Sequence, residues 1–132
     1  MYHIVLGVDK DEEHAAAAAR EVTELPGTDE IEVTLVHVFQ DNPSGASAGQ
    51  VGAVREAEDV LTEAGIEVDI AESSGDPADA IIEIADDVDA DLVVVGGRKR
   101  SPTGKALFGS VTQAVILNAG RPVMVTGVTE EA

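Results

Sequence analysis

The alternation of short apolar segments with longer amphipathic ones predicts a single α/β domain built on a parallel sheet. Parallel strands are joined by right-handed crossovers, usually helices, so this alternation is typical of a doubly wound sheet. The composition agrees, because 44% of the 132 residues are hydrophobic but only 2% are aromatic. A core of Val, Ile, Leu and Ala suits strands that helices cover on both faces. The length fits one domain, residues 1–132.

Five segments are predicted as strands because they are rich in apolar residues and bounded by turn residues. They are residues 3–8, 31–39, 66–73, 92–95 and 123–126. We expect a Rossmann-like sheet with the strand order 3-2-1-4-5. Ligands of such sheets bind at the carboxyl ends of the strands, where the strand order reverses. This rule directs attention to Asp9 and, above all, to the segment that starts at Gly96.

Four helices are predicted between the strands, over residues 10–25, 50–64, 78–88 and 110–118. The first is expected to have Asp9 as its N-cap and Glu12 at the third helical position, which is the spacing of a capping box. The third is expected to have Asp76 as its N-cap and Pro77 as its first helical residue.

The charge balance is strongly acidic, with 26 Asp and Glu against 8 Lys and Arg and a formal net charge of −18. An acidic surface repels nucleic acid and anionic lipid, so neither is expected as a partner. The hydrophobic content argues against a disordered chain. We interpret the acidity as adaptation to high salt, because at about 1 M salt the Debye length falls to about 3 Å and surface carboxylates barely repel one another.

The chain contains no cysteine, which excludes disulfides, thiolate metal sites and thiol nucleophiles. Its first apolar run, residues 4–8, is too short for a signal peptide, and no run approaches the roughly 18 apolar residues of a membrane span. We therefore expect a cytoplasmic protein.

The segment 96–110 combines three means of binding an anion. Gly96 and Gly97 allow the backbone to approach a ligand closely. The fourth helix begins at the end of the segment, so the N–H groups of Val111 and Thr112 are free to bind an anion. The segment also holds four of the eight basic residues, which are Arg98, Lys99, Arg100 and Lys105.

This segment has two other possible interpretations. It could be a solubilising basic loop in which Ser110 is only an N-cap, because Ser110 and Gln113 have the spacing of a capping box. A Walker A loop is excluded, since that motif has four residues between its glycines and then Lys and Ser or Thr. Here six residues separate Gly97 from Gly104, and Lys105 is followed by Ala106 rather than by Ser or Thr.

The chain resembles the universal stress protein family over its whole length. The resemblance rests on the early Val8-Asp9, on Gly75-Asp76-Pro77-Ala78, and on the order strand, Gly96, basic segment, Gly109-Ser110 and helix before Arg121-Pro122-Val123. It implies a nucleotide-binding α/β fold.

The ATP-binding branch of that family carries Gly, two residues, Gly, nine residues, and then Gly with Ser or Thr. This chain has Gly96, Lys99, Gly109 and Ser110 at those positions, so Lys99 replaces the second glycine. Lys99 would obstruct a phosphate if close backbone approach is needed there, or would supply its ammonium to the phosphates. The flanking arginines favour the second interpretation.

The resemblance implies the roles of individual residues toward ATP or another adenine nucleotide, with or without Mg²⁺. Val8 and Asp9 would lie on the base and ribose side, and the backbone of Val38 would hold the adenine edge. The ribose and phosphates would be lined by Val95, Gly96, Gly109, Ser110 and Val111. From the residues themselves, Arg98, Lys99 and Thr112 join the phosphate side.

The leading hypothesis is therefore a nucleotide-binding protein of stress response or signalling, and not a dedicated enzyme, because no general base is evident. The alternative is a dimeric interaction module that has lost nucleotide binding, which Lys99 and the acidity motivate. A phosphorelay receiver is rejected, because Ser73-Ser74 and Thr126-Gly127 stand where its Asp and Lys are needed. A carrier of flavin mononucleotide is disfavoured, since Tyr2 is the only Tyr and there is no Trp.

The fifth predicted strand is the last element and an expected sheet edge. An apolar edge invites pairing with another chain, so we expect a homodimer through Val123 and Val125, as the resemblance also implies.

No metal site is predicted. Packing or surface roles are expected for His3, His14 and His37. The acidic run of Asp86, Asp87, Asp89 and Asp91 lacks the glycine and final glutamate of an EF-hand loop and is interpreted as a solvated face.

Overall fold

The computed structural model describes residues 1–9, 11–39, 51–100, 106–107 and 109–127. The strands in these ranges are β1 (Tyr2–Val8), β2 (Ile31–Phe39), β3 (Glu67–Ser74), β4 (Leu92–Arg100), β5 (Ala106–Leu107) and β6 (Val123–Gly127). The α-helices in the same ranges are α1 (Glu12–Thr23), α2 (Gly52–Glu63), α3 (Pro77–Val88) and α4 (Ser110–Asn118). A single 3₁₀ turn, Thr28–Glu30, precedes β2.

The five long strands form one parallel sheet in the spatial order β3-β2-β1-β4-β6. Because the two-residue β5 lies outside this parallel sheet, the order corresponds to the predicted 3-2-1-4-5 and confirms it. β5 was not predicted. It pairs antiparallel with the end of β4, where Lys99 faces Leu107 and Arg100 faces Ala106.

The core consists of two aliphatic layers, one on each face of the sheet. On one face, α1 and α2 pack against Ile4, Leu6 and Leu35, and on the other face α3 and α4 pack against Val5 and Val36. Each fully buried Val or Leu side chain contributes roughly 1.5–3 kcal/mol to folding. The predicted core of Val, Ile, Leu and Ala is therefore confirmed.

The start of α1 differs from the prediction. Asp11, not Asp9, is the N-cap, and its side chain accepts a hydrogen bond from the His14 amide at 3.0 Å. Asp9 Oδ1 instead accepts from the Asp11 amide at 2.9 Å, which is the local turn that Asp favours after a strand. At α3 the prediction is correct, because Asp76 caps the Asp79 amide and Pro77 begins the helix.

β4 is longer than its apolar sequence predicts. The prediction ended it at Val95, but the strand continues to Arg100, with an irregularity in its pairing with β6 between Val95 and Arg98. The backbone of the extension pairs with Gly127 of β6 and with β5. Residues 101–105, including Lys105, lie outside the described residues.

Across the described ranges, no helix combines the length and the apolar character that spanning a membrane would require.

Candidate functional site

The strand order reverses between β1 and β4. From β1 the chain proceeds outward to β2 and β3, whereas β4 lies on the other side of β1 and is followed outward by β6. The last residue pair that joins β1 to β4 is Gly7 with Val95. Beyond that pair, Val8 and Gly96 stand at the mouth of the crevice that such sheets use for ligands.

The N-terminus of α4 adjoins this crevice. Ser110 is the first helical residue, so the predicted start of the helix is confirmed; Gly109 is the N-cap, so the alternative interpretation of Ser110 as an N-cap is wrong. The first intrahelical bond runs from the Gln113 amide to the Gly109 carbonyl, at 3.0 Å. The earlier amides of the first turn point out of the helix end, where the helix dipole favours negative charge.

Gly109 has a backbone conformation open to any residue, with φ −66° and ψ 164°. Among the described residues, no atom lies within 4 Å of the position that a Cβ at Gly109 would take. Neither backbone strain nor crowding by these residues requires glycine here. Glycine is a favoured N-cap residue, and it also leaves the backbone of this helix end open to the close approach of a ligand.

Thr112 joins α4 to the sheet. Its hydroxyl donates to the Gly96 carbonyl at 2.8 Å, and its residue is only 5% exposed. A Cβ added at Gly96 would lie 3.2 Å from Oγ1 of Thr126, so any residue larger than glycine would be crowded at this position. Gly96, within β4, therefore lies close to two buried threonines.

The residues predicted to contact the base of the nucleotide lie at the carboxyl ends of β1 and β2. Val8 ends β1, and the His37 ring donates through Nδ1–H to the Val8 carbonyl at 3.1 Å. Val38, which is half-buried, is the next residue of β2 and pairs with Ser73 of β3. Asp9 is exposed, with one carboxylate oxygen oriented by the bond to Asp11.

Lys99 replaces the second glycine of the motif, and its backbone lies in an extended strand paired with Leu107. An extended conformation is open to any residue, so Lys99 causes no backbone strain. Arg98 lies in the same extension and pairs with Gly127. The basic segment thus begins as one arm of a hairpin rather than as an irregular loop.

The histidines have structural partners. His3 contacts Glu32 Oε1 through Nδ1 at 3.1 Å and Thr34 Oγ1 through Nε2 at 2.8 Å, and His14 lies 3.6 Å from Asp11. Within the part of the chain that the structure describes, no group of three or more His, Asp or Glu side chains could hold a metal ion.

Sequence reasoning missed three features of the site: the Thr112 hydroxyl, the His37 ring and the β5 hairpin. The first two depend on which side chains meet across the fold, and the residue types alone do not reveal that. The third had a weak signal, because Ala106-Leu107 is a short apolar pair within a polar segment.

A doubly wound parallel sheet with a glycine-capped helix N-terminus at its switch point defines a class of α/β proteins built to hold an anionic ligand. The model of the universal stress protein family matches residues 1–127. The chain belongs to the universal stress protein family.

Two similar proteins support this assignment over nearly the whole chain. A universal stress protein of Mycolicibacterium smegmatis is 30% identical over 122 residues, which are 92% of this chain and 94% of that protein. The structure of a universal stress protein from Archaeoglobus fulgidus has a TM-score of 0.71 at 32% identity and covers 96% of this chain and 98% of that one.

Two further structures contain a nucleotide. A universal stress protein in complex with cAMP has a TM-score of 0.73 at 26% identity, over 96% of this chain and 97% of that one. A universal stress protein from Archaeoglobus fulgidus in complex with dAMP has a TM-score of 0.70 at 26% identity, over 96% of this chain and 98% of that one.

Proposed function

We propose that this chain binds an adenine nucleotide such as ATP in the crevice between β1 and β4. The observation that carries the proposal is the N-terminus of α4, which Thr112 holds against Gly96 at the point where the strand order reverses. The complexes of similar universal stress proteins with cAMP and dAMP support an adenine nucleotide as the ligand.

The amides of the first turn of α4 would bind the phosphates, with Gly109 leaving room for their approach. Val95 and Gly96 would contact the ribose and phosphates, and Val8 with Asp9 would contact the ribose and base. The backbone of Val38 would hold the adenine edge. Arg98 and Lys99 would add positive charge on the phosphate side. When Mg²⁺ accompanies ATP, it is bound largely by the phosphates and water.

The proposed role is nucleotide binding in a stress response or in signalling, and not that of a dedicated enzyme. We assign no general base or nucleophile to the crevice. The alternative is a dimeric interaction module of the same fold that does not bind nucleotide, and the complexes of similar universal stress proteins with cAMP and dAMP support nucleotide binding rather than this alternative. A cytoplasmic location stays a prediction of the sequence.

A single added carboxylate tests the site. Ser110→Asp places a negative charge at the first helical residue of α4, where acidic residues stabilise a helix but would repel a phosphate. We expect ATP affinity measured by calorimetry to fall by about a hundredfold or more, equivalent to roughly 2.7 kcal/mol. The melting temperature should not decrease.

Ser74→Asp is the matched control, because Ser74 is also exposed and ends β3, two strands away from β1. It adds the same charge at the same edge of the sheet, so its ATP affinity should stay within about twofold of the wild type, a difference of roughly 0.4 kcal/mol. Equal losses in the two variants, or no loss in Ser110→Asp, would contradict the proposed site.

We also propose a homodimer through β6 and the neighbouring face of α4. β6 is a sheet edge with half-buried Val123 and Val125, and such edges invite pairing with a second chain. Next to it, α4 exposes Ile116 and Leu117, the latter at 79%. Residues 92–129 contain no Asp or Glu, although the whole chain has a formal net charge of −18. Two copies therefore repel each other least when they meet through this part.

A further inference from the structure

Thr112 belongs to the proposed site through its amide, but its side chain performs a separate task. It is one of four buried polar side chains in the described residues, with Thr34, His37 and Thr126. The hydroxyl donates to the Gly96 carbonyl at 2.8 Å, across 16 residues of sequence. This bond connects the start of the basic segment to the first turn of the helix that follows it.

The bond controls the distance between helix and crevice. Thr112 lies in the first turn of α4, whereas Gly96 lies just beyond the last residue of β4 that is in register with β1. A side-chain bond from the first turn to that point fixes where the outward-pointing amides of α4 stand. Hydrogen bonds to an anion need donor and acceptor within about 2.7–3.2 Å, so a small displacement of the helix end removes them.

The bond also affects the electrostatic potential next to a bound ligand. A backbone carbonyl oxygen is an acceptor with two lone pairs and a partial negative charge. At the mouth of the crevice it opposes a phosphate. The Thr112 hydroxyl donates a hydrogen bond to the Gly96 carbonyl and so reduces the repulsion of an anion held next to the helix end.

We infer that Thr112 is a positioning residue of the phosphate subsite, acting through the Gly96 carbonyl rather than by contact of its hydroxyl with the ligand. The inference rests on the proposed nucleotide binding and deepens it. It predicts that loss of the hydroxyl weakens the binding of phosphates while the binding of the nucleoside part is retained.

The test compares Thr112→Val with Thr34→Val, with ATP and adenosine as the two ligands. Thr34 is also 5% exposed and has its own hydrogen bond of 2.8 Å, to His3. It lies toward the amino end of β2, away from the crevice, so its variant carries the same loss of a buried hydroxyl without touching the site. Valine replaces the hydroxyl by a methyl group of nearly equal size.

We expect Thr112→Val to lower ATP affinity about tenfold, which is the effect of one hydrogen bond, and to leave adenosine affinity unchanged. Thr34→Val should bind both ligands like the wild type. Thr112→Ser keeps the hydroxyl and should restore ATP affinity to within about twofold of the wild type; this variant tests the inference even if Thr112→Val does not fold.

Three results would overturn the inference: unchanged ATP affinity in Thr112→Val, equal losses for ATP and adenosine, or an ATP loss in Thr112→Ser as large as that in Thr112→Val. A wild-type chain that binds neither ligand would instead overturn the proposed function, and the inference with it.

Discussion

Arg121 shows how a single cation is used in a chain where acidic residues dominate. It follows α4 and reaches back to the carboxyl end of α3, where Nη1 donates to the Ala90 carbonyl at 2.5 Å and Nη2 contacts Asp86 at 2.7 Å. Its side chain is only 18% exposed, so salt screens these bonds less than those of surface pairs. A positive charge at a helix carboxyl end also compensates the helix dipole.

Replacing Arg121 by Ala should lower the free energy of unfolding by about 2 kcal/mol, because charged hydrogen bonds contribute roughly 1.5–3 kcal/mol. Denaturant unfolding in molar KCl would measure the loss. Arg55→Ala is the control, since Arg55 is exposed on α2 and should change stability by less than about 0.5 kcal/mol. Equal losses in the two variants would show that Arg121 has no special role.

At the scale of elements, the sequence predicted most of the fold because apolar runs and caps are local signals. Asp76-Pro77 marked the start of α3 correctly. The boundary at Val95 was wrong, because the extension of β4 depends on pairing with Gly127 and with β5, which no apolar pattern encodes. The cap at Asp9 was wrong for a related reason, since several acidic residues in succession offer more than one N-cap.

Some features of the candidate site could likewise be predicted from the sequence, and others could not. The basic segment and the helix N-terminus that follows it could be predicted from the glycines, the charge and the order of elements along the chain. The bond from Thr112 to Gly96 and the bond from His37 to Val8 could not, because each joins residues far apart in sequence. The role of Lys99 toward a phosphate stays a prediction, because its pairing with Leu107 concerns only the backbone.

The proposed dimer belongs to the scale of elements as well. Light scattering in molar KCl should give twice the 13.6-kDa chain mass. Leu117→Glu should shift the mass toward one chain, because it buries a charge in the proposed interface. Ile70→Glu is the control, because Ile70 is an exposed apolar residue on β3 at the opposite edge of the sheet. A monomeric wild type, or equal dissociation in both variants, would contradict the interface.

For the whole molecule, the net charge of −18 is the dominant electrostatic feature. It destabilises the compact state through repulsion between surface carboxylates, and salt reduces that repulsion as the Debye length falls from about 10 Å at 0.1 M to about 3 Å at 1 M. We therefore propose that the acidity is an adaptation to high salt.

The melting temperature should rise by at least about 5 °C between 0.1 M and 2 M KCl, which corresponds to roughly 1–2 kcal/mol for a domain of this size. Calorimetry at several KCl concentrations would measure the shift. A melting temperature that stays constant or falls would count against salt adaptation.

Binding of an adenine nucleotide at the end of α4 is the central claim, and titration of the wild-type chain with ATP tests it most directly. The titration should be made by calorimetry in molar KCl, with folding confirmed in the same sample. We expect saturable heat with one ATP per chain, retained at high salt because backbone amides supply much of the binding. Absence of any heat from the folded wild-type chain would contradict the claim.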